Sequence, residues 1–345
     1  MNRDTKGKNE KETAVIGIAW RTITDSISFK YFCRAIEEAG AEYVFLDQLL
    51  SADLKYEEAP KPERTGAYKR KDDNYSGPGN NNYRRLAEGV DGTGALTKEA
   101  GKILRRNSWH GSGAKDLLKK IDGVLFTGGQ DVSPSLFKNQ KPWHKIQKER
   151  DYLAERDVSD YLLMSYCLDH DIPFLGACRG MQMLGVVSGA AMIQDIPSYF
   201  ISLRKEYKNE HRPFYDENTP KALWDFASNN VRVEKDTLLY DIVQKELLRG
   251  CPCWHHQAIE NVTGTMLKVS GHTVTGGVSM IEAVERRDKS YALGVQFHPE
   301  APVWKKSVKA DNRYSYLDYE ISLQLFRSLA LAGLKYRERK PLTGK

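Results

Sequence analysis

The sequence predicts an α/β domain with an open, mostly parallel sheet and helices on both faces. Residues 14–20 form an apolar run typical of a buried strand, residues 29–36 repeat apolar side chains at helical spacing, and residues 43–46 form a second apolar strand. A strand, a helix and a second strand in this order favour a right-handed crossover between parallel strands. Farther along, an apolar strand at residues 172–175 leads into a helical pattern at residues 181–187, which repeats the alternation.

Length and composition restrict the classes of protein that the chain can belong to. Its 345 residues allow one large α/β domain or two ordinary ones, and either can bury a sizeable core. The net charge of +6 comes from 52 Lys+Arg against 46 Asp+Glu scattered along the chain, so no basic face indicates a nucleic-acid partner. No apolar run is long enough to span a membrane, and residues 1–13 lack the apolar core of a signal peptide. We therefore expect a cytoplasmic protein without a nucleic-acid or membrane partner.

The chain divides into a main domain and two short ends. We assign residues 13–335 to the domain, residues 1–12 to a disordered lead that contains almost nothing apolar, and residues 336–345 to a C-terminal tail. The closing helix is expected to end near Gly333. Its apolar seam comprises Leu317, Ile321, Leu325 and Leu329.

Residues 51–114 interrupt the strand and helix pattern with mixed charges, prolines and few aliphatic side chains. A connection of this length inside a compact domain is usually functional or disordered. We interpret it as an insertion, and a solvated loop is favoured over a substrate mouth or a subunit contact. Because it leaves at the end of the second strand, it begins at the edge of the sheet where ligands bind. We expect it to govern either substrate choice or assembly into a homodimer.

The cysteines are expected to be free thiols. Their five positions, 33, 167, 178, 251 and 253, follow no disulfide framework, and an odd number in a chain of this kind argues against pairing. Cys251 and Cys253 are too close together for a usual zinc pair and have no second pair. We expect no metal site and no cofactor.

A pair of glycines follows the strand predicted at residues 121–126. Gly128 and Gly129 leave the backbone unobstructed, so an N–H group can point at a ligand there. Arg156-Asp157 then opens a helix that leads to the strand at residues 172–175. The segment is a candidate anion-binding turn.

Gly176-Ala177-Cys178-Arg179-Gly180 lies between that strand and the following helix. Small residues around a central nucleophile are what a nucleophile elbow requires, because the turn is tight and pushes the central side chain out of the sheet edge. The helix dipole favours the thiolate of a cysteine at this position. A buried core cysteine is the alternative interpretation, since free cysteine is often buried.

A second local pattern favours catalysis. His298-Pro299-Glu300 ends an apolar strand, and the proline fixes the backbone so that the carboxylate can orient the imidazole while the imidazole faces a thiol. Cys178, His298 and Glu300 are therefore the candidate catalytic triad.

The remaining elements are assigned more briefly. A loop at residues 253–257 carries two adjacent histidines and a glutamine, which are more often a binding feature than core. Strands are expected at residues 191–195, 231–233, 280–284 and 291–297, a helix at 238–243, and irregular polar structure at 200–230.

Together these motifs resemble the class I glutamine amidotransferase-like superfamily, whose fold is flavodoxin-like. Within it the chain is similar to the stand-alone γ-glutamyl hydrolases related to γ-glutamyl-γ-aminobutyrate hydrolase, peptidase family C26. The likeness covers residues 14–46 and 121–333. It departs from the family at Pro252-Cys253, where Asn-Ser is common, and at residues 51–114, which have no counterpart.

The resemblance implies roles for individual residues. Cys178 would be the nucleophile, His298 its base and Glu300 the residue that orients the base. Backbone N–H groups of Gly129 and Arg179 would hold the oxyanion. The other residues expected to bind oxyanion or substrate are Gly128, Gln182, His255 and Gln257.

The function implied is hydrolysis of the γ-glutamyl amide bond of a small γ-glutamyl compound through a thioester, without metal or cofactor. Two other functions stay open: a glutaminase subunit that supplies ammonia to a separate synthetase, and a non-catalytic γ-glutamyl-binding module. An α/β-hydrolase could also contain such an elbow, but it would not be expected to place its acid two residues after its histidine.

Overall fold

The computed structural model describes residues 13–20, 27–58, 83–139, 151–213, 226–303 and 316–340. The predicted lead at residues 1–12 lies outside these ranges. The strands are β1 (Val15–Ile18), β2 (Glu42–Phe45), β3 (Tyr56–Glu58), β4 (Arg84–Leu86), β5 (Gly123–Phe126), β6 (Phe174–Ala177), β7 (Ala191–Ile193), β8 (Ala227–Val233), β9 (Leu247–Cys253), β10 (Ala258–Asn261), β11 (Leu267–Thr275), β12 (Val278–Arg286) and β13 (Ala292–Val295). The α-helices are α1 (Ile27–Glu38), α2 (Lys98–Asn107), α3 (Ala114–Leu117), α4 (Ala154–Asp169), α5 (Arg179–Val187), α6 (Ile196–Ser202), α7 (Leu238–Val243) and α8 (Tyr319–Arg339).

The central sheet has nine strands in the order β2-β1-β5-β6-β13-β12-β11-β8-β9. The first five strands run parallel, and the last four pair antiparallel. This arrangement confirms the predicted fold class. The strand expected at residues 191–195 exists as β7, but it pairs with β10 in a separate two-stranded sheet.

Two apolar cores lie on opposite faces of the sheet because successive side chains of each strand point to opposite sides. Val124 and Phe174 pack in the core that contains α2, α4 and α5. Leu125 and Leu175 pack in the core that contains α1, α7 and α8. Helices therefore cover both faces, as predicted. None of the helices in the described ranges is long and apolar enough to cross a membrane.

The interpretation of residues 51–114 as a solvated loop is wrong for the part that the structure describes. Leu86, Leu96 and Leu104 are almost completely buried in the core shared with α4 and α5. In α2, the N-cap Thr97 accepts a hydrogen bond from Ala100 N, and Ala100 and Leu104 lie four residues apart on the buried face. The aliphatic residues are few, but their spacing places them inside. Residues 59–82 lie outside the described ranges.

The closing helix is also longer than predicted. Gly333 does not end α8, which continues to Arg339, so the first residues of the predicted tail are helical. Gly333 is buried against Asp122, where an added Cβ would lie 3.2 Å from the Asp122 Cβ. The Arg337 guanidinium bonds the Asp122 carboxylate and, at 2.8 Å, the Thr13 carbonyl. These contacts attach the last turns of α8 to the sheet.

We predict that Leu104→Ala lowers the free energy of unfolding by about 2–5 kcal/mol, because it removes a fully buried side chain from the core. The matched control is Leu331→Ala, a helical leucine that is 54% exposed, for which we expect a change within about 0.5 kcal/mol. Urea unfolding measures both. Equal effects of the two substitutions would restore the interpretation of this segment as a loop outside the core.

Candidate active site

Cys178 lies at the turn between β6 and α5 in a backbone conformation that is rare for a side chain with a Cβ. Its φ is 51° and its ψ is −104°. The turn is tight enough that a Cβ on Gly176 would lie 2.7 Å from Gly180 C, and one on Gly180 would lie 2.5 Å from Phe126 O. Both glycines are therefore required by close packing. This is the geometry of a nucleophile elbow, as the sequence predicted.

His298 and Glu300 follow β13, the strand beside β6. His298 Nδ1 donates to Glu300 Oε1 at 2.8 Å, and His298 N donates to Pro252 O at 2.8 Å. His298 Nε2 is buried and makes no hydrogen bond to the part of the chain that the structure describes. The Phe226 ring packs against the imidazole, with 4.9 Å between the ring centroids. The carboxylate thus orients the ring and leaves Nε2 for another partner.

Gly128, which follows β5, lies close to both the Cys178 elbow and His298. A Cβ at this position would lie 2.8 Å from His298 Cε1 and 3.5 Å from Cys178 Cβ. β5, β6 and β13 are adjacent parallel strands, so their carboxyl ends meet at one edge of the sheet. That edge is where open α/β sheets bind ligands. The structure therefore brings Cys178, His298 and Gly128 into one site.

The electrostatics of this site favour the protonated imidazole. Burial alone lowers the pKa of His298, but the charges of Glu300 and Cys178 outweigh burial and raise that pKa to about 10. His298 is then an imidazolium at neutral pH and loses its proton as the pH rises through about 10. An imidazolium beside a thiol stabilises the thiolate, which is the nucleophilic form.

A cavity of about 420 Å³ opens in front of Cys178. Of the residues predicted to bind substrate, it is lined by Gly129, Gln182, His255 and Gln257. Six further residues line the cavity and were not predicted as site residues from the sequence. They are Gln130, Asp131, Asp151, Arg212, Trp254 and His256. Trp254 and His256 lie within the loop at residues 253–257 that the sequence indicated as a binding feature, whereas Arg212 carries no local signal.

The side chain of Gln257 has a different role from the predicted substrate contact. Its Oε1 accepts from Val132 N at 2.8 Å and its Nε2 donates to Val132 O at 3.0 Å. Gln182 Nε2 in turn donates to Gln257 O at 2.9 Å. Gln257 therefore fastens its loop to the segment after the glycine pair, and its amide is already hydrogen-bonded.

Arg156 fixes the orientation of the glycine turn. Its Nη2 donates to Gly128 O at 2.9 Å and to Thr127 O at 3.1 Å, and its Nη1 donates to Gln130 Oε1 at 2.9 Å. Gly128 C=O and Gly129 N–H belong to one planar peptide unit and point in opposite directions. Because the guanidinium holds the carbonyl, Gly129 N–H is directed away from Arg156, and Gly129 lines the cavity.

Arg179, the second predicted oxyanion donor, has a buried side chain that is linked to Arg156 through an aspartate. Arg179 Nη2 pairs with Asp157 Oδ1 at 2.5 Å, and Arg179 Nη1 pairs with Asp160 Oδ2, which also faces Arg156 Nε at 3.3 Å. Its backbone N–H starts α5, and first-turn N–H groups have no acceptor within their own helix. Arg156, Arg179, Asp157 and Asp160 therefore form one buried network that holds the two segments carrying the candidate oxyanion donors.

His256 forms a charged group on the cavity wall. Its Nε2 donates to Asp131 Oδ1 at 2.9 Å and its Nδ1 donates to Asp195 Oδ1 at 3.2 Å. Burial lowers the pKa of His256, but these two hydrogen bonds outweigh it and raise the pKa to about 9. The cavity wall therefore carries an imidazolium between two carboxylates.

A further set of side chains could hold a metal ion. Ligand atoms of His211, His255 and Glu282 all lie within 4.8 Å of one another, and all three residues are buried. Burial, and next the neighbouring His211, lower the pKa of His255 well below its usual value, so its imidazole is neutral. The five cysteines are unpaired, as predicted, and Cys251 and Cys253 are not part of this cluster.

The fold and site define an α/β protein with a cysteine elbow beside a buried histidine and carboxylate. A family model described as Peptidase C26 matches residues 103–300, more than half of the chain, and the protein belongs to that family. The resemblance inferred from the motifs is confirmed at this level.

Three relatives cover much of the chain. Protein NtpR of Enterococcus hirae is 32% identical over 188 residues, which are 54% of this chain and 70% of that protein. The putative glutamine amidotransferase-like protein RP404 of Rickettsia prowazekii is 27% identical over 244 residues, 63% of this chain and 79% of that protein. The gamma-glutamyl-gamma-aminobutyrate hydrolase PuuD of Escherichia coli is 28% identical over 200 residues, 58% of this chain and 70% of that protein.

We predict that Glu300→Gln lowers the pKa of His298 by at least about one unit, or about 1.4 kcal/mol, because the amide removes the charge that favours the imidazolium. NMR titration of the His298 ring measures this. The control is Glu234→Gln, which removes the carboxylate paired with His272 at the surface and should leave His298 unchanged. An unchanged pKa in Glu300→Gln would mean that Glu300 does not set the charge of the histidine.

Proposed function

We propose that the protein hydrolyses the γ-glutamyl amide bond of a small γ-glutamyl compound through a thioester on Cys178. One observation carries the proposal: a strained cysteine, a buried His298–Glu300 pair and a glycine turn lie together, and Cys178 and Gly129 line a small cavity. The Peptidase C26 family supports a hydrolase or an amidotransferase-like enzyme. The relative named as a gamma-glutamyl-gamma-aminobutyrate hydrolase supports the γ-glutamyl class of substrate.

The chemistry proceeds in two acyl transfers. The Cys178 thiolate attacks the γ-carbonyl carbon, and the N–H groups of Gly129 and Arg179 stabilise the oxyanion. The C–N bond breaks as the His298 imidazolium gives its proton to the departing amine. Neutral His298 then takes a proton from water while the water oxygen attacks the thioester. The C–S bond breaks, the acid product leaves, and the thiolate and imidazolium are restored.

The cavity walls suit the amino-acid end of a γ-glutamyl group. Asp131 supplies a carboxylate that can receive an α-ammonium, and Arg212 supplies a guanidinium for an α-carboxylate. The volume of about 420 Å³ favours a small compound over a folded protein substrate. Asp131 is held in place by its hydrogen bond to His256, so its position does not depend on the ligand.

A glutaminase that supplies ammonia to another protein is the second candidate. It is favoured by the relative named as a glutamine amidotransferase-like protein, which is 27% identical. Both functions use the same thioester, so they differ in substrate and in response to a partner. A hydrolase turns over several γ-glutamyl amides alone, whereas a glutaminase prefers glutamine and is stimulated by its synthetase.

We predict that Cys178→Ala abolishes hydrolysis of γ-glutamyl amides and labelling by a glutamine-like chloroketone, because both require the thiolate at the elbow. Intact mass and peptide mapping locate the label. Cys253→Ala is the control, and it should still be labelled at Cys178. A label that persists in Cys178→Ala, or that maps to Cys253 in the wild type, would remove Cys178 from this role.

We predict that Arg156→Lys lowers kcat by about 10²-fold with little change in KM, because lysine keeps the buried charge but cannot hold Thr127 O, Gly128 O and Gln130 together. Arg156 is a positioning residue that acts through the Gly129 N–H. Steady-state kinetics measures the two constants. Arg286→Lys, at an arginine paired with Asp288 and outside the cavity lining, is the control. A rise in KM at unchanged kcat would contradict this role.

A further inference from the structure

His211, His255 and Glu282 form a buried cluster beside the cavity. His211 and Glu282 are completely buried and His255 is 4% exposed. The three residues come from separate parts of the chain: the segment after α6, the loop after β9 and strand β12. We propose that this cluster binds a zinc ion, with one nitrogen from each histidine and the carboxylate of Glu282 as ligands.

His255 has the hydrogen-bond pattern of a metal-binding histidine. Its Nδ1 donates to Gln257 O at 2.9 Å, so the lone pair of the neutral ring lies on Nε2. Nε2 is buried and makes no hydrogen bond to the described residues. Metal-bound histidines usually donate their other ring N–H to a carbonyl or carboxylate, which fixes the tautomer.

His211 presents a second lone pair to the same point. Asn229 Nδ2, which can only donate, lies 3.1 Å from His211 Nδ1, and His211 Nε2 lies 2.9 Å from Thr275 Oγ1. Nδ1 is therefore the acceptor nitrogen, and it lies 3.2 Å from Glu282 Oε1. Binding of an ion would shift the Asn229 N–H towards Cys253 Sγ, which is already 3.6 Å from Asn229 Nδ2.

Glu282 supplies the cluster with a carboxyl group that accepts no hydrogen bond from the described residues. Both of its carboxylate oxygens are buried, and neither has a hydrogen-bond partner among the described residues. A buried carboxylate without donors is costly unless it is neutralised. One proton on Glu282 could bridge to His211 Nδ1, but it would leave His255 Nε2 without a partner. A divalent cation satisfies the carboxylate and both nitrogens at once.

The ligand types favour zinc over Mg²⁺ and Ca²⁺. Two imidazoles and one carboxylate, with a water in the fourth position, are a set that zinc accepts in proteins, whereas Mg²⁺ and Ca²⁺ prefer oxygen ligands alone. His255 also lines the cavity, so the ion would fix one wall of the candidate active site. The expectation of no metal rested on the spacing of Cys251 and Cys253, whereas the ligands at positions 211, 255 and 282 are far apart in the sequence and form no local motif.

The test measures zinc directly and does not depend on hydrolytic activity. Tag-free protein is equilibrated with ZnSO₄, desalted and analysed by inductively coupled plasma mass spectrometry. We expect close to one zinc per chain in the wild type. Glu282→Gln and His211→Gln should each reduce zinc at least tenfold, with folding checked by circular dichroism. His272→Gln, which changes a half-buried histidine paired with Glu234, should keep its zinc.

A second measurement uses the wild type alone, so the proposal can be tested even if the variants do not fold. Cobalt replaces zinc and gives visible d–d absorption when it is bound by nitrogen and oxygen in a tetrahedral site. We expect these bands without a thiolate-to-cobalt charge-transfer band. A wild-type chain that retains less than a tenth of an ion, zinc that persists in folded Glu282→Gln, or a charge-transfer band from a cysteine ligand would each overturn the assignment.

Discussion

At the junction of β6 and α5, Cys178 holds φ at 51°, a conformation that costs a non-glycine residue on the order of 1–3 kcal/mol. Contacts with the neighbouring strands offset this conformational cost. Cys178 N donates to Val295 O at 2.8 Å, and Gly180 packs directly against the backbone of Phe126. The elbow therefore depends on the alignment of β5, β6 and β13. The same alignment brings His298 and the glycine turn to the thiol, so the packing that maintains the strain also assembles the site.

Behind the elbow, Arg156, Arg179, Asp157 and Asp160 are buried where two apolar pairs would pack with less desolvation. Burial, and next the adjacent Arg179, lower the pKa of Arg156 to about 10, so this guanidinium remains charged at neutral pH. Its planar fork reaches two carbonyls and a side-chain amide, which an apolar residue could not do. We interpret the network as a support for the oxyanion turn, because its hydrogen bonds end at Thr127 and Gly128.

The sequence predicted the features that are local in the chain: the parallel β-α-β start, the cysteine elbow and the His-Pro-Glu segment. It did not predict features that depend on distant contacts. Leu86 and Leu96 are scattered aliphatic residues in a polar segment of the sequence, yet both are buried in the core that contains α4. Likewise, Gln257 resembled a substrate ligand, and only the fold shows that it binds the Val132 backbone. Strands β9 and β11 were not predicted from the sequence because most of their residues are polar or small.

In the proposed mechanism, every substrate passes through one γ-glutamyl thioester on Cys178. Several γ-glutamyl amides with different amine leaving groups are hydrolysed in the presence of hydroxylamine, and the ratio of γ-glutamyl hydroxamate to glutamate is measured for each. A common acyl-enzyme has lost its amine before it reacts with water or hydroxylamine, so we expect the same ratio for every substrate. A ratio that varies with the leaving group, or hydrolysis without any hydroxamate, would contradict the thioester.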